Sequence, residues 1–139
     1  MCCWISGYIV HEGYPNHVFH GYISADGEES WDVHLRKDGI SLVNGHLYTI
    51  NFDAHTIYGR ERDINVVLEK VGPPLTNYSN APYFHLNSQM KTFEYTFEMT
   101  CPTDPLAGIC IEMGECSVDD TDIPNEVIID NISIEENIP

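Results

Sequence analysis

Residues 42–69, LVNGHLYTINFDAHTIYGRERDINVVLE, contain the pattern that decides the fold. Apolar and polar side chains alternate in its first half, and a shorter alternation returns in its second half. A period of two is typical of a half-buried strand, because successive side chains point to opposite faces of a sheet. The apolar rows of the two predicted strands are Tyr48, Ile50, Phe52, Ala54 and Ile64, Val66, Leu68.

The opposite face of each predicted strand carries short polar side chains instead of long Lys and Arg side chains. If the two strands are neighbours in one sheet, they share an apolar face for the core and a polar face of amides and carboxylates. Such groups can donate and accept hydrogen bonds with a neutral ligand. The candidate ligand-binding residues on this face are Asn51, Asp53, Asn65 and Glu69.

The rest of the chain repeats this organisation of short strands separated by turns. Asp26-Gly27, Asp38-Gly39 and Asn44-Gly45 are predicted turns, and the second of them separates two strands predicted at 31–35 and 40–43. About eight strands and no segment of helical period predict an all-β fold. We therefore expect residues 1–139 to form one domain, a single β-sandwich of two antiparallel sheets.

The charge balance restricts the partners that the protein can have. Six basic residues against 22 acidic residues give a formal net charge of −16. Such a field repels phosphate backbones and anionic lipids, so neither nucleic acid nor a membrane surface is an expected partner. The same charge suits neutral ligands, cations such as Ca²⁺ and an extracellular, secreted location.

The five cysteines leave the redox compartment open. Their number is odd, and their spacing does not match a zinc site. One interpretation is a disulfide between Cys101 and Cys116 across a hairpin. The other is that the cysteines are unpaired and that Cys110 is a small buried apolar residue.

The order of the motifs resembles that of carbohydrate-binding modules of families 4 and 9, which share a galactose-binding-like jelly roll. The family's first strand, rich in Gly, Phe and Glu, pairs with the last strand and helps to hold a structural calcium. This strand is not found here, so we expect either a truncated start or a strand supplied by another chain, as in a homodimer. The similar pieces are WDVHLRKDGISL (31–42), NGHLYTINFDAH (44–55), RDINVVLE (62–69), NYSN (77–80), FEYTFEM (93–99), LAGICIEMG (106–114) and VIIDNISI (127–134).

The resemblance implies roles for five further residues. Trp31 matches the tryptophan that stacks on a sugar ring, and Tyr78 matches an aromatic residue in the loop that closes the cleft. His34 and Glu112 match polar positions of the cleft, where a ligand hydroxyl is hydrogen-bonded. Asp130 matches the aspartate that ligates calcium. A structural calcium is therefore the implied cofactor.

Each of these residues also has a purely structural interpretation. Trp31 could pack in the core or at a sheet edge, and Tyr78 could cap the core from its loop. Asn51 and Asp53 could form a solvated face. Tyr58 and Tyr83 are further loop aromatics at which a groove wall could form. The acidic segment 115–126 could bind a cation, although a solvated acidic loop is the simpler interpretation.

The function that this pattern and resemblance predict is that of a non-catalytic carbohydrate-binding module. It would hold a β-glucan or xylan-type polysaccharide chain in a concave groove and keep the catalytic domain of an attached glycoside hydrolase at its substrate. The sequence lacks a nucleophile elbow, a phosphate-binding loop and an HExxH motif, so no enzyme class is predicted. The alternative is a β-sandwich protein-interaction module of a secreted assembly.

Overall fold

The computed structural model describes residues 5–11, 17–23, 34–57, 60–114 and 125–137. No helix in this part of the chain has the length and apolarity needed to cross a membrane. The strands in these ranges are β1 Ile5–His11, β2 His17–Ile23, β3 His34–Leu42, β4 Leu47–Thr56, β5 Arg62–Glu69, β6 Phe84–Leu86, β7 Lys91–Glu98, β8 Asp104–Glu112 and β9 Asn125–Asn137.

The strands form two antiparallel sheets that pack as a sandwich. One sheet has the order β1-β2-β9-β4-β7, and the other has the order β3-β8-β5-β6. The last strand, β9, is hydrogen-bonded on both sides, to β2 and to β4. The predicted all-β sandwich of two antiparallel sheets is confirmed.

The alternating rows of β4 and β5 form the centre of the core. All seven predicted apolar residues of these rows are at most 4% exposed. Phe52 of β4 stacks on Phe93 of β7 and meets Phe84 of β6 edge-on, with ring centroids 5.2 Å apart in both pairs. Since β6 belongs to the other sheet, these rings join the two layers, and aromatic pairs of this geometry stabilise a core beyond their buried area.

The predicted neighbourhood of β4 and β5 within one sheet is wrong. β4 lies in the five-stranded sheet and β5 in the four-stranded sheet, so their apolar rows face each other across the core. Their polar rows consequently point to opposite surfaces of the molecule. Alternation determines which side chains of a strand are buried, but it does not determine which strands pair.

The predicted turn at Asp38-Gly39 is also corrected. β3 runs without interruption through this dipeptide, and its pairing with β8 shifts register between Asp38 and Ile40. Gly39 has a φ of +90°, a conformation that glycine adopts readily and that such irregularities use. By contrast, the predicted turn at Asn44-Gly45 is confirmed, and Asn44 Nδ2 donates to the carbonyl of Cys101 at 2.9 Å.

The cysteines of the described ranges are unpaired. Cys101 and Cys110 are free thiols, so Cys101 does not form the disulfide that one interpretation assigned to it. Cys116 lies outside the described residues. Cys110 is 4% exposed, which agrees with its interpretation as a small buried residue.

We predict that Phe52→Ala lowers the free energy of unfolding by about 3–5 kcal/mol, since it removes the ring that joins the two sheets and leaves a cavity. Urea denaturation measures the loss. Leu106→Ala is the control, because Leu106 is 69% exposed, and its effect should stay within about 0.5 kcal/mol. Equal losses in the two variants would contradict this description of the core.

Candidate functional site

The outer face of the four-stranded sheet is built from cross-strand rows. β8 lies between β3 and β5, and directly paired residues on one face have Cβ atoms about 5 Å apart. The register of these three strands therefore brings together side chains that are far apart in the sequence. The rows are His34–Glu112–Asn65, Arg36–Cys110–Val67 and Asp38–Gly108–Glu69.

A groove of about 460 Å³ lies over these rows. The segment between β5 and β7 supplies its wall, through Leu75, Asn77 and Tyr83. Tyr83 is 56% exposed, so a large part of its ring is open to solvent. An exposed aromatic ring beside a concave surface can stack on the apolar face of a flat ligand.

The middle row gives the groove an apolar floor. Val67 and Cys110 line the groove and are both buried. Burial and, as a smaller cause, the charge of Glu112 together raise the pKa of the Cys110 thiol to about 12. The thiol is therefore neutral at physiological pH and acts as a small apolar group. This apolar strip has a polar row on each side.

The first row supplies hydrogen-bonding groups at one end of the strip. Glu112 is buried on β8, and the register places it between His34 of β3 and Asn65 of β5. A carboxylate offers acceptors, an amide offers both donors and acceptors, and a neutral imidazole offers one of each. This row can therefore bind several hydroxyl groups of one ligand.

Arg36, at the β3 end of the middle row, is ion-paired with both acidic residues of the third row, and its role was not predicted from the sequence. Arg36 Nε donates to Asp38 Oδ1 at 2.7 Å, and Arg36 Nη1 donates to Glu69 Oε1 at 2.7 Å. The hydrogen bond to Asp38 and the charges of both carboxylates raise the pKa of the guanidinium. We call these three side chains the Arg36 clamp. Arg36 and Asp38 share a face because they are two residues apart on β3, and the register of β3, β8 and β5 brings Glu69 to them.

Gly108 makes room for the clamp where it crosses β8. A Cβ atom at this position would lie 2.5 Å from Asp38 Oδ1 and 3.2 Å from Arg36 Nη2. The absence of a side chain thus lets the guanidinium lie across the strand and reach Glu69.

The structure brings four of the predicted ligand-binding residues together and separates two. The groove contains His34, Asn65, Glu69 and Glu112. Asn51 and Asp53 lie on β4, so they belong to the opposite surface of the sandwich. The prediction that all the polar residues of β4 and β5 share one face is therefore wrong, for the reason given above.

Asp53 has a structural role on that opposite surface. It accepts hydrogen bonds from the Thr92 hydroxyl at 2.5 Å and from Asn131 Nδ2 at 2.8 Å. These bonds, the one from Thr92 above all, lower the pKa of Asp53. Asn131 has a φ of +53°, close to the point where the pairing of β4 and β9 shifts register. Asp53 thus supports an irregularity of the sheet.

The structure places Tyr78 in the core and not in the groove wall. Its ring is 9% exposed, and its hydroxyl donates to Asp104 Oδ2 at 2.8 Å. Burial, with the hydrogen bond to Asp104, raises its pKa to about 12. This position agrees with the structural interpretation of Tyr78 as a cap of the core, and among the described lining residues of the groove the aromatic one is Tyr83. Trp31 and Tyr58 lie outside the described residues.

The predicted calcium ligand Asp130 lies on β9, paired with Asp53. Its Oδ1 atom accepts the backbone N–H of Asn131 at 2.8 Å. In the described ranges, no group of three or more His, Cys, Asp or Glu side chains is placed to hold a metal ion. This finding does not test the implied calcium, since backbone carbonyl oxygens are also calcium ligands, and the calcium stays a prediction. Most of the acidic segment 115–126 lies outside the described residues.

Comparison with known proteins gives one similar curated sequence. It is a cellulose 1,4-β-cellobiosidase from Acetivibrio thermocellus, which is 29% identical over 123 residues. The alignment covers 86% of this chain but only 13% of that protein, so the chain spans a small part of its relative's length. No protein-family model matches the chain.

Solved structures show the same fold. A family 4 carbohydrate-binding module superposes with a TM-score of 0.75 and 24% identity, over 94% of this chain and 78% of the module. The second N-terminal cellulose-binding domain of β-1,4-glucanase C from Cellulomonas fimi gives a TM-score of 0.69 and 17% identity, over 97% and 86% of the two chains. The resemblance to these modules is thus confirmed for the fold.

A pH titration tests the electrostatics of the four-stranded sheet at its edge strand β6. His85 Nδ1 lies 2.6 Å from Asp63 Oδ1, and its Nε2 lies 3.3 Å from Glu61 Oε1. These contacts raise the pKa of His85 above 6.5, with Asp63 as the larger cause. We predict that the His85 titration midpoint, measured by NMR, is higher in the folded protein than in the unfolded chain. In Asp63→Asn the folded-state midpoint should fall towards the unfolded value.

The sign of the effect on stability follows from this shift. Because the folded-state pKa of His85 is raised, its stabilising contribution is complete below about pH 6.5 and is lost as pH rises through the folded-state value. Glu61→Gln is the matched control and should lower the pKa by less. A His85 midpoint in the folded protein at or below the unfolded value would contradict the prediction.

Proposed function

We propose that this chain is a non-catalytic carbohydrate-binding module that holds one β-1,4-glucan chain in the groove of the four-stranded sheet. The observation that carries the proposal is the composition of that groove. An apolar floor of Val67 and Cys110 lies between two polar rows, beside the exposed ring of Tyr83.

A glucan chain has the complementary chemistry. Each sugar ring exposes apolar C–H faces and a rim of hydroxyl groups, which suit a stacked aromatic ring and amide or carboxylate partners. Asn65, Glu112 and His34 supply such partners in one row. Each hydrogen bond replaces one to water and contributes about 0.5–1.5 kcal/mol net. We therefore expect moderate affinity that accumulates over several sugar units.

Two similar proteins support the choice of a β-1,4-glucan. One is a cellobiosidase and the other is a cellulose-binding domain of a β-1,4-glucanase. The chain matches 13% of the cellobiosidase, as a module attached to a larger extracellular enzyme would. Such a module keeps the catalytic domain of its enzyme close to insoluble substrate, which raises the effective substrate concentration.

Affinity electrophoresis against soluble polysaccharides tests the proposal. We expect retardation by hydroxyethyl cellulose and mixed-linkage glucan, and weaker retardation by xylan and β-1,3-glucan. The isolated chain should release no reducing sugar from any of them. If none of these polymers slows the protein, the proposed function is wrong, and tighter binding to xylan would change the assigned ligand.

The two asparagines Asn65 and Asn51 provide a matched pair of variants. Asn65→Ala should weaken binding of cellohexaose by roughly 2- to 12-fold, because one hydrogen bond in the groove is lost. Asn51→Ala removes the same side chain from the opposite sheet and should leave the affinity unchanged. Isothermal titration calorimetry measures both. A larger effect of Asn51→Ala than of Asn65→Ala would indicate a site on the five-stranded sheet and contradict the proposed groove.

Tyr83 is the second test of the groove. Tyr83→Ala should weaken cellohexaose binding by roughly 2- to 12-fold through the loss of ring stacking, whereas Tyr83→Phe should keep most of the affinity. Full affinity in Tyr83→Ala would remove this residue from the site.

A further inference from the structure

The groove is negatively charged although it contains an arginine. Among its described lining residues, Arg36 is the only Lys or Arg, whereas Glu69 and Glu112 are carboxylates. Asp38 adds a third carboxylate through the Arg36 clamp. The positive charge of Arg36 is therefore outnumbered within the groove itself, in a protein whose formal net charge is −16.

Two of the three guanidinium nitrogens of Arg36 already donate to carboxylates. A guanidinium recognises an incoming carboxylate through parallel N–H donors. Here Nε donates to Asp38 and Nη1 donates to Glu69, each at 2.7 Å. The Glu69 side chain is 13% exposed, so little solvent competes with its bond to Arg36. A ligand carboxylate would compete with these partners for Nε and Nη1.

Gly108 keeps the clamp in this arrangement. Because the guanidinium and the Asp38 carboxylate lie where a Cβ atom would collide with them, the clamp rests against the backbone of β8. Its charges are thus held on the groove side of the sheet before any ligand arrives.

We propose that the Arg36 clamp makes the groove selective for uncharged polysaccharide chains and excludes chains that carry carboxylates, such as those with uronic acid substituents. The inference rests on the proposed function, because it concerns the ligands of the same groove. Two effects cause the exclusion. The clamp already engages Nε and Nη1 of Arg36, so an acid has to compete with Asp38 and Glu69 for them. The surplus carboxylates also repel the acid at short range, where salt screens charges weakly.

The same geometry predicts a change of specificity in a variant. Glu69→Gln removes one negative charge and leaves Arg36 Nη1 without an anionic partner. Arg36 then becomes available to a ligand carboxylate. Asp38→Asn weakens the clamp from its other side and should act in the same direction.

Two cellulose derivatives separate charge from shape in the experiment. Hydroxyethyl cellulose and carboxymethyl cellulose share the β-1,4-glucan backbone and carry substituents of similar size, but only the second is anionic. Calorimetry at low salt and pH 7 should give roughly tenfold weaker binding of wild type to carboxymethyl cellulose. The affinity for hydroxyethyl cellulose divided by the affinity for carboxymethyl cellulose is the selectivity ratio. This ratio should fall by roughly threefold or more in Glu69→Gln and in Asp38→Asn.

Glu94→Gln is the matched control, since it removes one negative charge from the exposed edge strand of the opposite sheet. This variant should leave the ratio unchanged. An equal fall in Glu94→Gln would show that net charge, and not the clamp, causes the discrimination, and would overturn the inference. If Glu69→Gln binds neither polymer, the ratio in Asp38→Asn decides, and an unchanged ratio there overturns it.

The wild-type result distinguishes this inference from the proposed function. Equal binding to the two polymers overturns the inference and leaves the proposed function intact. Absence of binding to hydroxyethyl cellulose overturns the proposed function, and the inference with it.

Discussion

The core of the sandwich forms where the apolar row of β4 packs against that of β5, and this packing determines which side chains face outward. Each row is buried because its strand alternates, and Phe84 of one sheet joins the layers through its contacts with Phe52 and Phe93 of the other. On each strand, polar residues alternate with the apolar residues of the row. Since the two apolar rows face each other, the polar residues of the two strands must face outward on opposite sides of the sandwich. On the outer face of the five-stranded sheet, Asp53 of β4 makes hydrogen bonds that stabilise the sheet. The outer face of the four-stranded sheet forms the groove.

The groove owes its composition to strand register. β8 brings Cys110 and Glu112 between residues of β3 and β5, and its glycine at 108 lets Arg36 cross to Glu69. An apolar strip with hydrogen-bonding groups on both sides suits a chain of neutral sugar rings. The ion-paired arginine adds a reason for the groove to prefer uncharged chains.

The sequence predicted the sandwich and the buried rows, because a period of two directly reports which side chains face the core. It could not predict that Asn51 and Asn65 lie on opposite surfaces, since strand pairing depends on contacts that are distant in the sequence. Asp38-Gly39 was predicted as a turn because glycine serves turns and bulges through the same positive φ. Tyr83, not Tyr78, lines the groove, and loop conformation decided between them.

The most direct test of the central claim is an NMR titration of the ¹⁵N-labelled protein with cellohexaose. Saturable changes in chemical shift should concentrate at the backbone amides of Arg36, Asn65, Val67, Cys110 and Tyr83. The amides of Asn51 and Glu94, on the opposite sheet, should stay unchanged. Shift changes centred on those two residues, or none at millimolar ligand, would contradict a glucan-binding groove on the four-stranded sheet.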